Sequence, residues 1–191
     1  MNNAAGKPRN RNPIKIMLWI IAGLFLLLLV RVGVRVVQSS IDQRSQPDTN
    51  AAHYLSCRWD HWVEDEPYRL FPSKSVMQNC LEYSYLHKHD RSPTFFFNDE
   101  IVTALKCTYT QEWYQDEMKR LESVCRPETD TDGNTVYVWM ADAGEGVTAF
   151  ARLDPEENQI WYVAYQDNSL IERWPELKLK TDRFLSPPVS G

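Results

Sequence analysis

The sequence predicts an α+β protein in which a single N-terminal transmembrane helix precedes a small domain. We expect the first half of that domain to be helical and the second half to be a three-stranded antiparallel meander. Three observations lead to this prediction. Residues 16–37 are almost entirely apolar, residues 76–87 and 111–125 carry helix signals, and residues 136–165 alternate with the two-residue period of strands.

Residues 16–37 are predicted to be a transmembrane signal anchor. As a helix they would extend about 33 Å, close to the roughly 30 Å of a bilayer core. Arg31 and Arg35 follow the uncharged run where a cleavable signal peptide would need small residues, so we expect no cleavage. We expect the two arginines to snorkel to the headgroups, the alternative being a pairing with an acid on a partner's membrane helix.

The flanking charges predict the orientation of this anchor. The basic residues before the apolar run outnumber those after it by four to three: Lys7, Arg9, Arg11 and Lys15 against Arg31, Arg35 and Arg44. This bias favours a cytoplasmic tail of residues 1–15 and an exported domain. We therefore predict a single-pass protein of the bacterial inner membrane with a periplasmic C-terminal domain.

The number and the positions of the cysteines are consistent with export. All four, an even number, follow the anchor, as two disulfides in an oxidising compartment would require. Three connectivities are open, and chain proximity favours the pairs Cys57–Cys80 and Cys107–Cys125.

Charge divides the chain at the same point as hydrophobicity. Residues 38–191 hold 15 of the 21 basic side chains and all 26 acidic ones, a net charge of −11. Nucleic-acid binding requires a basic surface, so that class is disfavoured. We expect a protein partner, and a basic one would be attracted to this domain.

Composition sets the predicted boundaries. Residues 38–50 are polar and read as a linker, which as a flexible chain would reach roughly 20 Å. Residues 51–185 have the size of one domain, and residues 186–191 are predicted to be a flexible tail.

Three helices are expected in the first half of the domain. Ser75 would cap a helix over residues 76–87, Asn98 would open a short helix over residues 99–106, and Thr110 would cap residues 111–125. In the last of these, one face collects the apolar side chains of Tyr114, Met118, Leu121 and Cys125.

The strands of the meander are predicted over residues 136–141, 147–153 and 160–165, joined by short turns. Helices would cover one sheet face. The other would carry aromatic side chains, depending on the register: Tyr137, Trp139, Phe150, Trp161 and Tyr165. We expect residues 170–185 to fold over them as core, the alternative being a partner-binding patch.

Two local patterns resemble metal sites without meeting their requirements. Residues 128–134 have the acidic alternation of a calcium loop, but Trp139 stands where a bidentate Glu is needed, so we expect a turn. His61, His87 and His89 lie near Cys57 and Cys80, yet no C-x-x-C is present. The sequence predicts no metal and no cofactor.

Residues 58–68, RWDHWVEDEPY, form the most suggestive stretch for binding. Together with aromatic residues of the meander they provide the candidate binding residues: Trp59, Asp60, Trp62, Glu64, Asp65, Glu66, Tyr137, Trp139 and Trp161. No hydrolase or phosphate-binding motif is present, so no catalytic residue is predicted.

These observations predict a membrane-anchored exported domain that engages another protein and is not an enzyme. An immunity protein that neutralises a toxin, or an accessory subunit of a cell-envelope complex, would have this architecture. The alternative is an envelope enzyme or binder acting on cell-wall sugars or peptides, with Asp60 or Glu64 in its site.

Overall fold

The computed structural model describes residues 13–56, 69–93, 99–140, 147–166 and 168–180. It contains a long N-terminal helix and a six-stranded antiparallel sheet with helices on both faces, where the sequence predicted helices on one face only. The α+β class and the long apolar helix are confirmed. The numbers of helices and strands differ from the prediction.

Helix α1 spans Pro13–Arg44, 32 residues or about 48 Å. It is long and apolar enough to cross a membrane, and its large side chains are exposed, Trp19 by 79%. The helix continues through residues 38–44, where a polar linker was predicted. The short helix α2 (Ala51–Ser56) follows.

The sheet has the strand order β1-β2-β6-β5-β4-β3, with every neighbouring pair antiparallel. The strands are β1 (Cys80–Asp90), β2 (Glu100–Tyr109), β3 (Arg126–Thr129), β4 (Thr135–Met140), β5 (Val147–Asp154) and β6 (Gln159–Gln166). The predicted meander is present as β4, β5 and β6. It is the middle and one side of a larger sheet, in which β6 pairs with β2.

The predicted helices over residues 76–87 and 99–106 are wrong. Ser73 caps a helix of only four residues, α3 (Lys74–Met77), and β1 begins three residues later. In β1 the alternation of Tyr83 and Tyr85 with polar neighbours fits a strand. Strand β2 is buried on both faces, so residues 101–105 show no alternation of apolar and polar side chains, and periodicity does not separate them from a helix.

The predicted helix after Thr110 is confirmed as α4 (Gln111–Val124). The Thr110 side chain accepts a hydrogen bond from the backbone N–H of Trp113, 3.4 Å away. Tyr114 and Leu121 are buried as expected. Glu117, on the same helix, is buried as well.

Two hydrophobic cores lie on opposite faces of the sheet. On one face α2, α3 and α4 cover Leu105, Tyr162 and their neighbours. On the other face the C-terminal segment covers Val163 and Tyr165; it consists of α5 (Asn168–Ile171), a 3-10 turn (Pro175–Leu177) and residues up to 180. Its buried side chains are Leu170, Ile171, Leu177 and Leu179. Residues 170–180 form core over Phe150 and Tyr165 as expected, whereas Tyr137 and Trp139 lie on the opposite face.

Residues 130–134, within the stretch 128–134 where a turn was expected, connect β3 and β4. Asp130 accepts hydrogen bonds from the backbone N–H groups of Asp132 and Asn134 at 3.0 and 2.8 Å. Gly133 has a φ of +86°, a conformation that glycine adopts without steric cost.

Candidate binding groove

A groove opens between β1, β2, β6 and the C-terminal segment. Its cavity has a volume of about 220 Å³. We call it the tryptophan groove, and its lining residues are Thr49, Ser84, Tyr85, Leu86, Ala104, Lys106, Trp161, Trp174, Glu176 and Leu177.

Strand pairing places the first tryptophan. Lys106 of β2 lies directly opposite Trp161 of β6, so their side chains emerge side by side on one sheet face. The Lys106 Nζ lies 4.8 Å from the centroid of the Trp161 ring, a cation–π contact. This contact holds a positive charge at the groove.

The second tryptophan is placed by the C-terminal segment. The backbone N–H of Trp174 donates to the carbonyl of Ile171 at 2.9 Å, and Leu177 is buried after it. Arg152 donates to the carbonyl groups of Glu176 and Lys178 at 3.1 and 3.2 Å. The backbone that carries Trp174 and Glu176 is therefore tied to β5.

The groove combines an apolar base with charged groups. Leu86, Ala104 and Leu177 supply the apolar surface, while Lys106 and Glu176 supply opposite charges. Small-molecule pockets usually enclose about 300–1,000 Å³, more than this cavity. The groove has room for one or two side chains of a partner.

The structure separates the predicted binding residues. Trp161 lines the groove, whereas Tyr137 and Trp139 lie on the opposite sheet face. Tyr137 is buried and donates a hydrogen bond to the carboxylate of Glu122 at 3.1 Å. The other six predicted residues lie outside the described part of the chain: Trp59, Asp60, Trp62, Glu64, Asp65 and Glu66.

Trp139 borders a second, more open cavity of about 610 Å³. Glu122, Glu128 and Arg126 also line it, next to the edge strand β3. This cavity has the acidic and aromatic character that the sequence predicted for a binding surface.

Sequence reasoning missed Lys106, Trp174 and Glu176. Lys106 was assigned to a helix, where no pairing with Trp161 would arise. The sequence did contain a sign that Trp174 and Glu176 are not ordinary core residues, because a Trp-Pro-Glu sequence interrupts a segment expected to be core.

The sheet face covered by α2, α3 and α4 contains a buried polar network. Glu117 is 3% exposed and accepts hydrogen bonds from the Arg120 Nη2 and Nε at 2.6 and 2.8 Å. Tyr162 donates to the same carboxylate at 2.7 Å and lies 3.1 Å from the hydroxyl of Tyr109. Burial raises the pKa of both tyrosines well above the usual value. The network joins α4 to the sheet.

In the described part of the chain the predicted Cys107–Cys125 disulfide is absent. Cys80, Cys107 and Cys125 are free thiols, and Cys57 lies outside the described residues. The thiols of Cys107 and Cys80 both face Met77, whereas Cys125 ends α4. In the described part of the chain, no cluster of three His, Cys, Asp or Glu side chains could hold a metal ion.

Ion pairs join α1 to the domain. The Nη2 of Arg35 lies 2.8 Å from the Asp99 carboxylate, and its Nε donates to the carbonyl of Ser92 at 3.0 Å. Lys88, 2% exposed, pairs with Asp90 at 2.7 Å and donates to the Ser45 hydroxyl at 2.7 Å. These contacts form a joint between α1 and the end of β1. Ser45 lies where a flexible linker was expected, and Arg35, which was expected to reach the lipid headgroups, contacts the domain instead.

Comparisons of the chain with protein-family models, curated protein sequences and solved structures find no significant match.

Proposed function

We propose that the protein is a membrane-anchored, exported binding domain that engages another protein through the tryptophan groove. The observation that carries this proposal is the pair of half-buried tryptophans, Trp161 and Trp174, beside an apolar base and two opposite charges. Tryptophan is enriched among the residues that dominate the energy of protein interfaces.

The groove favours a particular kind of contact. An apolar side chain of the partner would enter between the tryptophans, and neighbouring charged groups would meet Lys106 and Glu176. The net charge of −11 beyond the anchor would attract a partner with a basic surface.

An immunity protein or an accessory subunit of a cell-envelope complex would use these features. The anchor would hold the domain at the inner membrane with its N-terminus in the cytoplasm. The alternative, an envelope enzyme, finds less support, because Glu176 is the only carboxylate among the described residues lining the groove. Glycoside hydrolysis usually needs two.

Site-specific photo-crosslinking in cells tests the proposal. A photoreactive amino acid replaces Ser84, an exposed residue of the groove, in the full-length protein. We expect one discrete protein adduct, which Trp161→Ala and Trp174→Ala each remove, since losing a central interface tryptophan costs about 2 kcal/mol or more.

Trp113→Ala is the matched control, because Trp113 is 41% exposed on α4, on the other face of the sheet. The control should keep the adduct. Absence of any adduct in the parent protein would refute the groove as the binding site. Equal loss of the adduct in all three folded variants would refute it as well.

A further inference from the structure

Cys80 and Cys107 lie close together on the sheet face covered by α2, α3 and α4. Cys80 begins β1 opposite Tyr109, and Cys107 lies two residues from Tyr109 along β2, on the same face. Their sulfurs lie 3.8 and 3.6 Å from the Sδ of Met77, so both thiols contact the same methionine sulfur. A register shift beside Cys80 interrupts the strand pairing at this point, so the local backbone is less constrained.

The two thiols differ in accessibility and acidity. Cys80 is partly exposed, and hydrogen bonding from Cys107 lowers the pKa of its thiol. Cys107 is fully buried, and burial raises the pKa of its thiol far above the usual value. Because the thiolate is the reactive form, Cys80 is the group that a reagent in solution would meet first.

We propose that Cys80 and Cys107 form a redox pair that closes to a disulfide between β1 and β2. The closing reaction is thiol–disulfide exchange with an oxidised dithiol oxidant, and it rests on the proposed export to an oxidising compartment. This pairing differs from both pairs that chain proximity favoured.

The exchange has two steps. The Cys80 thiolate attacks one sulfur of the oxidant's disulfide, which forms a mixed disulfide and releases the oxidant's other sulfur as a thiolate. That thiolate takes the proton of Cys107, whose sulfur attacks Cys80 and displaces the oxidant. Two electrons pass to the oxidant, which leaves as a dithiol after taking up the proton that Cys80 had lost.

The cross-link would act on the wall of the tryptophan groove. Strand β1 lies at the edge of the sheet and carries Ser84 and Leu86 into the groove. A bond from Cys80 to β2 fixes the start of this strand and reduces the freedom of the unfolded chain.

Differential alkylation of the full-length protein in native membranes tests the proposal. The membranes are dissolved in denaturant so that buried thiols react, free thiols are blocked with one maleimide, disulfides are then reduced, and the released thiols receive a heavier maleimide before peptide mapping. We expect the heavy label on Cys80 and Cys107 and the light label on Cys125. Light label on both Cys80 and Cys107, or a Cys57–Cys80 cross-link, would overturn the proposal.

Single variants test the order of the steps in the purified, reduced full chain exposed to oxidised glutathione. Cys107→Ser should accumulate glutathione on Cys80, because no thiol resolves the mixed disulfide. Cys80→Ser should leave Cys107 unmodified, and Cys125→Ser should still close the pair. Glutathione on Cys107 in a folded Cys80→Ser variant would refute the assigned roles. The groove crosslinking described above does not depend on these cysteines, so the two proposals can fail separately.

Discussion

The carboxylate of Glu117 lies in the core, where Arg120 and Tyr162 both donate hydrogen bonds to it. Arg120 also donates to the carbonyl of Leu70 at 2.6 Å, so one ion pair connects α4, the sheet and the segment before α3. A charge at this depth is stable only while its partners remain, because removing one of them leaves the other unpaired.

We expect Glu117→Gln to lower the free energy of unfolding by about 3–5 kcal/mol, because the Arg120 guanidinium loses its counter-charge. Urea unfolding followed by circular dichroism measures the change. Glu112→Gln, an exposed position in the first turn of α4, should cost about 0.5 kcal/mol or less. Equal losses in the two variants would contradict the assigned role of Glu117.

His87 gives the protein a pH dependence. Burial lowers the pKa of His87 to about 4; the nearby His89 adds to the shift and Asp48 opposes it. An unfolded histidine has a pKa of about 6.5, so between these values the unfolded chain binds a proton that the folded chain does not. Stability contributed by His87 is therefore present above pH 6.5 and lost as the pH falls towards 4.

We expect acidification from pH 7 to pH 4 to cost up to about 3 kcal/mol through His87, and His87→Gln to remove that part of the loss. Urea midpoints of the wild type and the variant at several pH values measure it. Parallel curves for the two proteins would show that His87 does not titrate as proposed.

Among the elements, the C-terminal end of α1 differs most from the prediction, because it contacts the domain. Arg35 and Asp42 contact Asp99 and Arg91, and Ser39 is buried against the domain. Polar side chains of α1 form ion pairs with the domain, and backbone carbonyl groups at the end of α1 accept hydrogen bonds from it. A segment with linker composition thus becomes a rigid extension of the anchor.

We expect Arg35→Ala to loosen the joint without unfolding the domain, because the variant loses the ion pair to Asp99 and the hydrogen bond to Ser92. Spin labels at Ser40 and Thr135 should show a broader distance distribution in this variant by pulsed electron paramagnetic resonance. Arg44→Ala, an exposed change at the end of α1, should leave the distribution unchanged. A distribution as narrow as that of the wild type would exclude Arg35 as part of the joint.

For the whole molecule, if α1 spans a membrane as proposed, its length sets the distance between the bilayer and the sheet. Residues 13–30 extend about 27 Å, close to the hydrocarbon thickness of a bilayer. Among the described residues, Arg35 contacts the domain little more than one helical turn beyond. The domain would therefore sit against the membrane surface rather than about 20 Å away, as a flexible linker would allow.

We expect the domain to lie outside the cytoplasm, because basic residues dominate the N-terminal flank of α1. In a background in which the four native cysteines are replaced by serine, a membrane-impermeant maleimide applied to intact spheroplasts should label Thr135→Cys and leave Asn3→Cys unlabelled until the membranes are lysed. The opposite labelling pattern would reverse the orientation and remove the compartment that the cysteine proposal requires.

The local sequence predicted those helices and strands whose defining pattern of residues lies within the element itself. The apolar run of α1, the cap and face of α4, and the alternation of the meander each depend on neighbours a few residues apart. Composition likewise determined the acidic charge of the domain. Trp161 was predicted as a candidate binding residue on its type and strand position alone.

Only the tertiary structure decided what depends on partners far apart in the chain. Strand β2 is buried on both faces because α2, α3 and α4 cover one face of the sheet and the C-terminal segment covers the other, so residues 101–105 show no alternation. The pairing of Lys106 with Trp161, the meeting of Cys80 with Cys107, and the joint of Arg35 with Asp99 all follow from strand order and from the path of α1. Such contacts join residues separated by 27 to 64 positions, and no local period encodes them.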